Sequence, residues 1–179
     1  MVYVFLGQGF EEIEALATVD FLRRCELDVI TAGVGSQDVT GAHDVTVLAD
    51  TVDSMLVESD DVQAIVLPGG MPGTLNLEKS KYVQNMIDFA ANKGILVCAI
   101  CAAPSILGKK GLLEDKKATC FPGFEDQLIG AVVSGNSVEI DGNFITAKGP
   151  GCTIDFSIAI AEKLVGKDIA EKVRKSMQC

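Results

Sequence analysis

Basic side chains are scarce in this sequence. Its 179 residues include 15 Lys and Arg against 25 Asp and Glu, a formal net charge of −10. Nucleic-acid binding needs clustered cations to neutralise phosphates, so no nucleic-acid partner is expected, and an anionic membrane surface is disfavoured on the same ground. Long apolar runs are also missing: the longest, Ile95 to Ala103, is far short of the ~20 residues a membrane span requires. The first basic residue is Arg23, so the apolar start MVYVFLGQGF lacks the charged n-region of a secretory signal and reads as a strand. A soluble, cytoplasmic protein with no membrane partner is expected. Histidine occurs once, at His43.

What is present is a composition of 48% apolar and 22% charged residues, which belongs to a packed globular chain. The length suggests one domain, residues 1–179, able to remove roughly 70% of its unfolded surface from water. Disulfide scaffolds are usually shorter and richer in cysteine. The six cysteines at 25, 98, 101, 120, 152 and 179 are therefore expected as free thiols, and the question becomes which of them is chemically special.

Strand-length apolar runs alternate with segments of helical period, the pattern of βαβ units around a parallel sheet. Strands are expected at 1–6, 27–32, 64–67 and 95–100. A helix is expected at 11–25 with Ile13, Leu16, Ala17 and Phe21 near one face. Two β-prone pieces around Gly41 suggest a hairpin outside the main sheet, and Asp53 reads as the cap of a short helix ending near Val57. PGGMPG reads as a tight loop, and Ser80 as the N-cap of a helix through Ala91 with Gly94 past its end. Cys101 falls where a strand gives way to a helix through Leu107. Later come a short strand at 117–120, a hairpin of 138–140 with 144–147 across Asp141-Gly142, and two closing helices at 153–165 and 168–175. The expected fold class is α/β, a three-layer flavodoxin-like sandwich with a mostly parallel central sheet. Its site should lie at the carboxyl ends of the strands, in the loops GQGFEE, LPGGMPG and AICAAP.

GQGFEE fails as a dinucleotide fingerprint, because Glu12 stands at the third glycine and Glu11 and Glu14 add negative charge where a pyrophosphate would bind. No cofactor and no metal are expected. Glu11 and Glu12 fit a solvated first turn, whereas Glu14 can point into the central crevice. Cys98 and Cys101 form a CxxC, but Cys98 lies inside the strand ILVCAI and reads as packing. Cys101, at a strand-to-helix turn, resembles a nucleophile elbow whose helix end would lower the thiol pKa. Gly70 and Ala102 are the candidate backbone donors of an oxyanion hole.

Taken together, GFEEIEAL, VLPGG, AICAAP and GPG, in this order, resemble the ThiJ/PfpI superfamily, and within it the branch of the parkinsonism-associated deglycase. The resemblance covers essentially the whole chain. It implies a flavodoxin-like fold of the class I glutamine amidotransferase-like kind and a homodimer. It also implies that Cys101 is a nucleophilic, oxidation-sensitive cysteine and that Glu14 is the acid bonded to it. Gly70 and Ala102 then match the oxyanion donors, and Arg24 matches a helix-end arginine lying near the partner's site in the dimer. Gly151, in GPG, and His43, in GAHDV, border the site; relatives can carry an arginine at the latter position. Where many members have a histidine after the strand that follows the nucleophile, TCFPG places Phe121, so a Cys-His peptidase is disfavoured.

The resemblance implies a cofactor-independent enzyme acting on small reactive carbonyls, of glyoxalase or deglycase type, with a small aldehyde as substrate. The alternative is a redox-responsive chaperone or oxidative-stress sensor working through oxidation of Cys101. Thiazole monophosphate biosynthesis, an older label for such sequences, finds no phosphate site here. Two anions in contact disfavour each other, so a Cys101 thiolate beside Glu14 requires the carboxyl to hold a proton.

Overall fold

In the computed structural model, which describes residues 1–179, the chain begins with β1 (Val2–Leu6), an interior strand of a seven-stranded sheet. A π-helical turn (Ile13–Ala17) runs straight into α1 (Thr18–Arg24), which leads to β2 (Val29–Gly33). The antiparallel pair β3 (Asp38–Thr40) and β4 (Thr46–Leu48) forms the expected hairpin outside the main sheet, and β5 (Thr51–Val52) returns to the sheet edge. Next come β6 (Ala64–Leu67), α2 (Gly73–Lys79), α3 (Lys81–Lys93), β7 (Leu96–Ile100) and α4 (Pro104–Lys109). A small parallel pair, β8 (Lys117–Ala118) with β9 (Val132–Val133), precedes the hairpin β10 (Val138–Asp141) and β11 (Phe144–Ala147). Helices α5 (Thr153–Val165) and α6 (Lys167–Ser176) end the chain.

The sheet order is β10-β11-β7-β6-β1-β2-β5, parallel throughout except for β10 against β11. Strands β1, β6 and β7 are buried along their whole length because helices cover both faces. On one face Val4, Val66, Cys98 and Ile145 pack with Phe21 of α1 and Phe156 and Ile160 of α5. On the other, Phe5, Ile65, Val97 and Ala99 pack with Val83 and Ile87 of α3 and Ile106 of α4. This is the expected α/β sandwich. No helix is long and apolar enough to cross a membrane.

Four local readings are corrected. Ile13, expected on the buried helix face, is 56% exposed, while Glu14 beside it is 0% exposed. The π turn holds more residues than the 3.6 per turn assumed by the periodicity, so the face rotates. Asp53 is not a cap: it opens a 3-10 turn, with Oδ1 accepting from Gly35 N at 3.1 Å and Oδ2 from Ser80 Oγ at 2.6 Å. PGGMPG is a loop only as far as Pro72, beyond which Gly73 starts α2. The late hairpin pairs Asp141 with Phe144, so its turn is Gly142-Asn143, with Gly142 at φ 60°.

Ser80 has two tasks, since its hydroxyl accepts from Val83 N to cap α3 and donates to the buried Asp53 carboxylate. Replacing it (Ser80→Ala) should cost about 1–2 kcal/mol in urea-induced unfolding, beyond the mean for a cap because a buried carboxylate also loses a donor.

Candidate active site

The carboxyl ends of β1, β6 and β7 converge through backbone bonds. Glu11 N donates to Gly69 O at 3.0 Å and Gly73 N to Gly9 O at 3.1 Å, tying the loop after β1 to the loop after β6. Cys101 N donates to Ala147 O at 2.9 Å, and Phe121 N donates to Cys101 O at 2.8 Å, fixing the turn after β7 from the side of β11. Cys101 itself sits at φ 65°, a left-handed conformation that a side chain rarely adopts and that costs of order 1–2 kcal/mol. The result is a sharp elbow, with the thiol half-buried.

Glu14 meets this elbow from the π turn. Its Oε2 accepts from Gly69 N at 2.7 Å, and its Oε1 is buried with no nitrogen or oxygen partner. A Cβ on Gly69 would lie 2.6 Å from Cys101 Cβ and 2.8 Å from Glu14 Oε2, so the carboxyl and the cysteine share one wall, and that wall must be glycine. Gly70, at φ 86°, is equally constrained, since a Cβ there would come within 2.3 Å of Glu11 N. The backbone N–H groups of Gly70 and Ala102 lie close enough to the Cys101 sulfur to favour its anion.

Burial raises the Glu14 carboxyl to about 7 against the hydrogen bonds from Gly69 and Cys101, with the charge on Glu11 adding to the rise. An unpartnered buried carboxylate oxygen argues for a proton on that group. The Cys101 thiol is pushed up to about 12, first by burial and then by the charge of Glu14 and the hydrogen bond to it, against the Gly70 and Ala102 N–H groups. This corrects the expected depression. The helix after Cys101 begins only at Pro104 and is six residues long, so its dipole is weak at the sulfur while burial is not. Part of that rise belongs to a charged Glu14 and vanishes when the carboxyl is protonated. The carboxyl therefore sheds its proton near 7, while the thiol holds its own well above that.

The other candidates fall around this centre at different distances. Phe121 touches the elbow through its backbone, and its ring packs beside Gly149. Gly151 sits in an exposed 3-10 turn following Pro150. His43 donates its backbone N–H to Glu12 Oε1 at 2.7 Å, and its ring Nδ1 lies 2.9 Å from Glu12 Oε2. The hydrogen bond to Glu12 and the charges of Glu11 and Glu12 raise the pKa of His43. Glu12 is thus no solvated first-turn residue: it clamps the β3–β4 hairpin to the helix start. Burial pushes its pKa up, but the bonds from His43 and Val45 outweigh this and lower it. Glu11, Glu12 and His43 place ligand atoms within 4.8 Å of one another, the group best suited to hold a cation. They line, with Ile13, Val45 and Pro150, a cleft of about 470 Å³ beside the elbow. Arg24 is not at the site within this chain. It lies at the far end of α1, about 15 Å of helix from Glu14, paired with Asp20 at 2.8 Å.

Comparison with known proteins fits this geometry. The model of the DJ-1/PfpI family matches residues 1–163. The chain belongs to this family. Among curated DJ-1 relatives, DJ-1 homolog A of Arabidopsis thaliana is 41% identical over 96% of this chain, which spans 45% of that protein. The chain thus spans less than half the length of that relative. A glutathione-independent glyoxalase of Caenorhabditis elegans is 30% identical over 93% of this chain and 89% of its own. The crystal structure of Drosophila melanogaster DJ-1beta superposes with a TM-score of 0.92 at 36% identity, covering 99% of this chain and 96% of that one.

Sequence reasoning named Gly70 but missed Gly69, whose N–H holds Glu14 and whose missing Cβ makes room for the cysteine; the doubled glycine of PGG was the available signal. It also missed Glu12 as the hairpin clamp, for which only the adjacency of GAHDV to the site could have spoken.

Two measurements follow from the coupled pair. Alkylation of Cys101 by iodoacetamide should rise with a midpoint well above the ordinary thiol value of ~8.5, because burial and the Glu14 charge push the thiol up to about 12. Glu14→Gln should lower that midpoint, since the charge beside the sulfur is gone. In stability the sign is that of a raised acid. The folded chain holds the Glu14 proton that the unfolded chain releases above about 4.5, so the stabilisation from the protonated form is lost as pH rises towards 7. Glu14→Gln should therefore unfold at higher urea than the wild type at pH 8, by up to about 3 kcal/mol, and show no advantage at pH 4.

Proposed function

We propose that the chain is a cofactor-independent glyoxalase-type enzyme that converts small 2-oxoaldehydes such as methylglyoxal into the hydroxy acid. The observation that carries this reading is the buried Glu14 carboxyl set against Cys101 across Gly69, whose N–H holds one of its oxygens. A nucleophile and a proton carrier in one water-poor wall are what isomerisation next to a carbonyl needs. The glyoxalase named among the relatives supports the substrate class.

In this mechanism the Glu14 carboxylate takes the thiol proton of Cys101 as the sulfur attacks the aldehyde carbon. The C–S bond forms, and the carbonyl oxygen takes the Glu14 proton to give a hemithioacetal. The developing oxyanion lies among the N–H groups of Gly70 and Ala102, worth several kcal/mol in such sites. The Glu14 carboxylate then removes the hydrogen from that carbon and returns it to the neighbouring carbon, while the hydroxyl proton passes to the neighbouring carbonyl oxygen, turning the hemithioacetal into the thioester of the hydroxy acid. Water cleaves the thioester, and the thiol is restored. Oxidation at one carbon balances reduction at the next, so no cofactor is consumed. His43 is held at Glu12, and Phe121 presents only its backbone to the elbow, which leaves Cys101 without the imidazole that a peptidase mechanism would use.

Incubated with methylglyoxal and no glutathione, the protein should form lactate. Cys101→Ser should reduce kcat at least about a hundredfold, as expected for loss of the nucleophile. Lactate formation unchanged in that variant would remove Cys101 from the mechanism.

A further inference from the structure

Glu14 reaches Cys101 only because the helix that carries it begins with a π turn. In a regular α-helix the carbonyl of residue 14 would accept from the amide of residue 18. Here the Thr18 amide turns instead to Ala15 O, and the Thr18 hydroxyl donates to Glu14 O at 2.7 Å. That hydroxyl is itself held. Ser157 Oγ, on α5, donates to Thr18 Oγ1 at 3.1 Å and lies 2.7 Å from Thr153 O. Glu14, Thr18 and Ser157 are each 0% exposed, so no water competes for these bonds. Both hydroxyls lie in the layer between α1 and α5, where Phe21, Phe156 and Ile160 are otherwise apolar. Polar side chains so placed need partners: Thr18 has the carbonyl of Glu14, and Ser157 has the Thr18 hydroxyl and the carbonyl of Thr153.

We propose that the Thr18 hydroxyl, braced by Ser157, is a positioning device: it occupies the Glu14 carbonyl, keeps the turn in π register and so aims the Glu14 carboxyl at Cys101. This deepens the glyoxalase reading and rests on the same Glu14–Cys101 pair. Its mechanical content is simple. If the carbonyl of Glu14 loses the hydroxyl, the amide of residue 18 is the nearest donor that can take its place. The turn then tightens to α, and each residue before it rotates by roughly 100°. Such a rotation would return Ile13 to the buried face and carry the carboxyl away from the sulfur, the arrangement that simple helical periodicity predicts.

The decisive comparison is Thr18→Val, which keeps the branched shape and removes the hydroxyl, against Thr18→Ser, which keeps the hydroxyl. The readout is the pH profile of Cys101 alkylation by iodoacetamide, with thermal unfolding recorded in parallel; Glu14 is the ionisable group against the sulfur, and the charge of Glu11 acts on Glu14. Thr18→Val should lower the alkylation midpoint, and its rate at pH 7.5 should rise about tenfold or more, as a fall of one pKa unit or more implies once the carboxylate leaves the sulfur. Thr18→Ser should keep the wild-type profile, and Ser157→Ala should move it in the same direction as Thr18→Val by a smaller factor. If Thr18→Val fails to fold, Ser157→Ala decides alone. A lowered Tm with an unmoved profile, in either folded variant, would show a merely structural hydroxyl and overturn the proposal. Alkylation needs no turnover. A wild-type protein that forms no lactate would sink the glyoxalase reading while the Thr18 comparison still returned its own answer.

Discussion

Everything at the end of the sheet is arranged around one unfavourable act, the removal of a carboxyl group from water. Glu14 has no cation beside it; what offsets its burial is a proton, one backbone N–H from Gly69, and the polarisable sulfur of Cys101. Gly69, the left-handed cysteine and the π turn bring that carboxyl and that sulfur to one wall, while Gly70 lets the loop after β1 pack against them.

Two helices frame the arrangement from opposite sides of the chain. The start of α1 carries Glu14 and Thr18, and α5 braces Thr18 through Ser157, 139 residues later in sequence. The turn after β7 is held by Ala147 O on one side and Phe121 N on the other. Membership of the DJ-1/PfpI family agrees with this frame, whose overall form matches the Drosophila structure across nearly the whole chain. The hairpin β3–β4 is attached differently, by the side chain of Glu12, and so forms an outer wall that side chains govern more than the sheet does.

Elements driven by local chemistry were legible from the sequence alone. The helix 153–165 and the strand 64–67 agree residue for residue, because an apolar period and its flanking breakers determine them. Ser80 and Gly94 cap α3 as read, since both act on backbone groups within a few residues. What was illegible depended on distant partners. The phase of the first helix was misjudged because 3.6-residue periodicity cannot register a π turn, and that turn is set by a hydroxyl bonded to another helix. Asp53 looked like a cap because its partners, Gly35 and Ser80, are 18 and 27 residues away. The pKa of Cys101 was misjudged in sign because adjacency to a helix was visible in sequence and burial was not.

The left-handed backbone at Cys101 also separates two pressures on this chain. Glycine at 101 would relax the elbow, and an uncharged side chain at 14 would end the burial cost, so both positions hold residues that a search for stability alone would discard. Cysteine at 101 and glutamate at 14 are thus stability forgone at the one wall where sulfur and carboxyl meet.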